Sequence, residues 1–90
     1  MATLTLLVRA YCHLCDEMLA ELEPMAHACG AIIDVVDVDA PEHAALEAEW
    51  GDRVPALFAG KAGAENLLCH FRLDRERVGG ALSAPAPGAD

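Results

Sequence analysis

Thr3-Leu4-Thr5-Leu6-Leu7-Val8-Arg9-Ala10-Tyr11-Cys12-His13-Leu14-Cys15-Asp16-Glu17-Met18 changes its periodicity part-way along. Thr3 to Arg9 is an apolar, partly β-branched run of strand length. From Cys15 onward the spacing turns helical, with Met18, Leu19, Leu22, Met25, Ala26 and Cys29 falling on one face. Gly30 is placed to end that helix. Pro24 lacks a backbone donor and disfavours helical geometry at Glu23, which predicts a kink near Ala20 to Glu23 with the helix continuing beyond it. Between strand and helix sits Cys12-His13-Leu14-Cys15, a C-x-x-C.

Working outward, Ala31 to Val38 reads as a second strand, apolar enough to suggest a central or near-central place. Asp39 and Glu42 match the capping-box spacing, with Pro41 in the first turn, and predict a helix through Ala44, Leu46 and Trp50 to Gly51. Ala56 to Ala59 and Asn66 to His70 form two short strands joined by the turn Gly60-Lys61-Ala62-Gly63. Asp74 can cap a last helix with Val78 and Leu82 inward. The order strand, helix, strand, helix, hairpin, helix is solved most simply by a four-stranded mixed sheet with helices on both faces. Residues 1–82 are expected to form one domain and 83–90, rich in Ala, Pro and Gly, a frayed tail.

The chain has 90 residues, of which 54% are hydrophobic and 23% charged, so it can bury one core and no more. A formal net charge of -9 and the lack of any Lys or Arg run argue against a nucleic-acid partner or an anionic membrane surface. No segment is long enough to span a membrane. The start carries neither a basic n-region nor a cleavage site, which points to the cytoplasm. Thiols are kept reduced there, so the four cysteines read as free thiols, a metal site or a catalytic pair rather than structural bridges.

Spacing of i, i+3 puts Cys12 and Cys15 on one helical face, near the separation that a disulfide needs. Cys12 would sit where helix amides lack partners and the macrodipole is positive. Both effects favour thiolate over thiol. Cys12 is therefore the candidate nucleophile and Cys15, one turn inside, the buried resolving thiol. Arg9, at the end of the first strand, is a candidate source of further positive potential, and is read equally well as a solvated charge. A zinc site would need a second ligand pair at short spacing. Cys29, His27, His43, Cys69 and His70 are scattered instead, so no metal is expected. Val54-Pro55, between a loop and a short strand, is consistent with a cis bond beside Cys12 that leaves the Val54 backbone free for an extended substrate.

Cys12-His13-Leu14-Cys15-Asp16-Glu17, Val36-Asp37-Val38-Asp39, Arg53-Val54-Pro55-Ala56-Leu57 and Phe71-Arg72-Leu73-Asp74 together resemble the thioredoxin superfamily. More narrowly, the chain looks like the small bacterial glutaredoxin-like proteins, over nearly its whole length except the tail. The resemblance implies strand order 2-1-3-4, a cis Val54-Pro55 packed against Cys12, and a thiol-disulfide oxidoreductase acting through a mixed disulfide. Arg9, Tyr11, Val54 and Pro55 become the candidate substrate-binding residues. The chain departs from the families it resembles in places. Where glutaredoxins carry a Gly-Gly pair and dock glutathione, this chain has His70-Phe71-Arg72. Where thioredoxins carry Trp before the first cysteine and Gly-Pro between the two, it has Tyr11 and His13-Leu14.

Cys69 ends the returning strand and is either a third redox thiol or a small buried hydrophobe. Strand alternation turns Cys69 and His70 to opposite faces. Cys29 reads as packing, and His13, His27 and His43 as surface residues. No cofactor is expected, with glutathione a candidate co-substrate. The expected partner is a disulfide-containing protein or a glutathione mixed disulfide, met by a monomer. Two other readings share the fold: a metal or iron–sulfur carrier, and a binding module without turnover.

Overall fold

The computed structural model describes residues 2–83. Its elements are β1 (Thr3–Val8), α1 (His13–Cys29), β2 (Ile32–Asp37), α2 (Ala44–Trp50), β3 (Ala56–Ala59), β4 (Leu67–His70) and α3 (Arg75–Ser83). The strands form one sheet in the order β2-β1-β3-β4, the order that the resemblance implied. β2 runs parallel to β1, whereas β3 is antiparallel to β1 and β4 to β3.

Strand alternation divides the core between the two faces of the sheet. Leu4 and Leu6 of β1 and Leu57 of β3 join Met18 and Leu22 of α1 and Val78 of α3. Leu7, Ala56 and Phe58 point to the other face, where they meet Val38 and Trp50. The Trp50 and Phe58 rings pack edge to face at 5.0 Å, and the Arg53 guanidinium lies 4.1 Å above the Trp50 ring.

Several sequence expectations need correction. Among the described residues β2 is an edge strand, paired only with β1, with Ile32 and Val35 half exposed. An apolar run is consistent with either place. Here the exposed carboxylates of Asp34 and Asp37 suit an open edge, since charge discourages further strand pairing. The Asp39–Glu42 capping box does not form. A 3₁₀ turn, Pro41–His43, leads into α2, its flanking residue is Ala40, and the Asp39 carboxylate is taken by Arg9. Cys29 is exposed at the end of α1 and not part of the core, because the buried stripe of that helix stops at Ala26. His43 is half-buried rather than superficial, and its Nδ1 lies 3.1 Å from the Asp37 carbonyl.

α1 runs through Pro24 as one helix of 17 residues. Ala20 and Pro24 are both exposed, so the carbonyl that Pro24 cannot bond is left to water. Gly30 ends the helix at φ 68°, a conformation that glycine adopts without a Cβ penalty. The hairpin returns through a 3₁₀ turn, Ala64–Asn66, so β4 begins one residue later than expected. Ser83 belongs to α3 and donates to the Gly79 carbonyl. The expected tail beyond it lies outside the described residues.

Asp74 caps α3 as predicted, its Oδ1 accepting from the Arg77 amide at 3.1 Å. Asp74→Ala is expected to cost about 1 kcal/mol of stability, the usual worth of such a cap. A urea titration reads this as a lower midpoint at unchanged slope. An unchanged midpoint would show that the cap contributes nothing.

Candidate functional site

Val8 is the last residue of β1 and His13 the first of α1, so the segment between them turns at the end of an interior strand. Tyr11 makes this turn with φ 59° and is fully exposed. Cys12 then takes an extended conformation, φ -103° and ψ 105°, as the N-cap of α1. Its Sγ accepts the Cys15 amide at 3.1 Å, and its carbonyl accepts the Asp16 amide at 3.1 Å. Cysteine thus occupies the place that Ser, Thr or Asp fills in ordinary helices, and its sulfur receives a donor that the helix cannot satisfy internally.

Cys12 and Cys15 are joined as a disulfide with Cα atoms 5.2 Å apart. The two are unequally placed. Cys15 is 2% exposed, whereas Cys12 is only partly buried. A reagent from solvent therefore meets Cys12 first. His13 projects into solvent, as expected.

The other candidate residues fall into distinct positions. Val54-Pro55 is a cis peptide, with Pro55 buried at the start of β3 and Val54 half-buried. The Arg9 guanidinium is engaged by acidic side chains and a carbonyl. It donates to Asp39 through Nε at 3.2 Å and Nη2 at 2.8 Å, to Glu47 at 3.4 Å and to the Gly51 carbonyl at 3.0 Å. Its pKa is raised, first by the hydrogen bond to Asp39. Arg9 thereby ties β1 to the α2 region, and its charge is spent on two carboxylates.

Cys69 sits opposite Leu57 in the β3–β4 ladder, half-buried against the cluster of Leu4, Leu6 and Met18. Burial pushes its thiol pKa up, with the Asp74 carboxylate acting in the same direction and the Asp74 amide opposing both. A raised pKa leaves less of the Cys69 thiol ionised, and the thiolate is the nucleophilic form. Among the described residues, no three His, Cys, Asp or Glu side chains converge to hold a metal ion. No helix of the described residues is long and apolar enough to cross a membrane.

Phe71 belongs to a motif that carries the family resemblance, but no site role was expected of it. It follows β4 with φ 65°, and its amide donates to the Pro55 carbonyl at 2.8 Å. Its side chain remains 41% exposed. A bulky residue at positive φ is rare and persists where its surroundings hold it. The available signal was its position: Phe71 stands in the stretch where glutaredoxins carry a Gly-Gly pair, and glycine commonly marks a left-handed backbone.

A family model described as "Glutaredoxin-like domain (DUF836)" matches residues 3–83. The chain belongs to this glutaredoxin-like family. Two solved structures agree with that. The protein Ne2328 from Nitrosomonas europaea, determined by solution NMR, is 37% identical over 91% of this chain and 92% of its own, with a TM-score of 0.72. The X-ray structure of the protein XcR50 from X. campestris is 34% identical over 91% of this chain and 99% of its own, with a TM-score of 0.61. A search of curated proteins gave no match. In this glutaredoxin-like chain, the C-x-x-C pair supports a role in thiol redox chemistry.

Proposed function

We propose that this glutaredoxin-like protein is a thiol-disulfide oxidoreductase that works through a mixed disulfide. The reading is carried by one observation: Cys12, only partly buried, accepts through its Sγ an amide of the first turn of α1, while its partner Cys15 is buried. In the reduced protein the same amide and the positive helix terminus stabilise negative charge on that sulfur.

The Cys12 thiolate attacks one sulfur of a substrate disulfide. A Cys12–substrate bond forms, the substrate's own S–S bond breaks, and the departing thiolate takes a proton from solvent. Cys15 then loses its proton and attacks Cys12 Sγ, closing the Cys12–Cys15 disulfide and releasing the second substrate thiol. The substrate gains two electrons and the dithiol loses them. A thiol co-substrate such as glutathione, or a reductase, returns the pair to the reduced state. The reaction needs no resident cofactor and suits a monomer in the reducing cytoplasm.

The test is the pH dependence of Cys12 alkylation in Cys15→Ser, followed by mass spectrometry of the Cys12 peptide. The expected midpoint lies below the free cysteine value of about 8.5, with Cys69 reacting only at higher pH. A midpoint at or above the free value would remove the reason for assigning Cys12 as the nucleophile.

A further inference from the structure

Beside the dithiol lies a groove of about 210 Å³ between the start of α1 and the connection from β4 to α3. Leu14, the residue adjoining Cys15 within the C-x-x-C, lines it together with Glu17 and Glu21 from α1. Phe71, Arg72 and Leu73 form the opposite wall, and the Phe71 amide is anchored on the carbonyl of the cis proline, Pro55. The lining is thus part apolar and carries two carboxylates against one guanidinium.

The balance of charge around it is the informative feature. Arg9, the cation closest in sequence to Cys12, is held by Asp39 and Glu47. Of the two groove carboxylates, Glu21 has a long contact of 3.8 Å to the exposed Arg75, whereas Glu17, like Arg72 on the opposite wall, has no ion-pair partner among the described residues, so the lining side chains carry two negative charges against one positive. The chain as a whole carries -9. Glutathione brings two carboxylates and one ammonium to such a surface, and so arrives with the sign the groove already has. A peptide segment with an apolar residue and a Lys or Arg beside its cysteine brings the opposite sign, plus an apolar side chain for Leu14 and Phe71.

Resting on the oxidoreductase reading, we infer that the groove between α1 and the β4–α3 connection selects polypeptide disulfides with apolar and basic residues next to the cysteine, and disfavours glutathione mixed disulfides. In this exchange the Cys12 thiolate bonds to the peptide sulfur and expels the other thiol. Cys15 then displaces the peptide thiol and closes the Cys12–Cys15 bond.

The experiment uses the full chain, reduced, with three mixed disulfides of thionitrobenzoate, whose yellow thiolate is released on attack. One carries a short peptide with Leu and Lys flanking its cysteine, the second the same peptide with Glu for Lys, and the third glutathione. The Lys peptide is expected to react about fivefold faster than the Glu peptide or glutathione at low salt, the gap closing as salt is added. In the double variant Glu17→Gln, Glu21→Gln, shown to be folded by its thermal transition, the preference is expected to vanish. Equal rates for the three probes, or a preference that survives the double variant, would overturn the inference. A neutral disulfide, hydroxyethyl disulfide, separates the two levels. If it is reduced while the three probes react alike, only the groove's selectivity fails. If it is not reduced, the oxidoreductase reading fails and takes this inference with it.

Discussion

Cys12→Ser is expected to abolish reduction of a model disulfide, and Cys15→Ser to halt the same reaction half-way. The two cysteines share a disulfide yet differ in what each can do. Cys12 is the N-cap of α1 and reaches solvent, whereas Cys15 is 2% exposed and can attack only a sulfur brought to it by Cys12. A serine hydroxyl at position 12 can still accept the Cys15 amide, so the helix keeps its cap and the fold should survive. What it loses is a nucleophile that ionises near neutral pH, and a fall in rate of roughly 10³-fold or more is expected. In Cys15→Ser the first attack proceeds and the second has no thiol. The protein then accumulates as a covalent adduct with half of the substrate, visible as an added mass that a strong reductant removes. Wild-type turnover by Cys12→Ser, or no adduct on Cys15→Ser, would show that the chemistry does not run through this pair.

The parts of this fold that could be read from sequence are those governed by local spacing. The change from strand run to helical period at Cys12, the Asp74 cap and the inward Val78 all depend on residues within a turn or two of one another. The i, i+3 spacing of Cys12 and Cys15 likewise led directly to a disulfide-competent pair. What escaped depends on partners distant in sequence. Asp39 looked like a helix cap because Glu42 follows three residues later, but Arg9, 30 positions away, offers a bidentate fork that a backbone amide cannot match. Ala31 to Val38 reads alike in the centre or at the edge of a sheet, because hydrophobicity does not record how many neighbours a strand has. Phe71 was hidden for another reason: only a chain that returns to Pro55 makes its backbone conformation useful.

Trp50→Ala is expected to remove about 3–5 kcal/mol, the usual cost of deleting a large buried aromatic. That is a large share of the roughly 5–15 kcal/mol typical of a whole domain. Trp50 is 2% exposed and is the sole buried residue of α2, a helix of 7 residues, with Leu46 of the same helix packed partly buried against its cluster. Its loss opens a cavity against Phe58, Leu7 and Val38 and leaves the Arg53 guanidinium without the ring beneath it. Trp50→Phe retains an aromatic partner for Phe58 and should cost distinctly less. Chemical denaturation measures both, and a Trp50→Ala loss below about 1 kcal/mol would mean that α2 is held by something other than this contact. The dithiol offers an independent readout. Met18 and Leu22 pack α1 on the opposite face of the sheet from Trp50, and the amide facing Cys12 Sγ belongs to α1 itself. In the folded fraction of Trp50→Ala, therefore, the midpoint of Cys12 alkylation should stay where it is in the parent protein, each measured with Cys15→Ser. A midpoint that moved with the loss of Trp50 would show that the sulfur is tuned across the sheet, and not by the helix terminus alone.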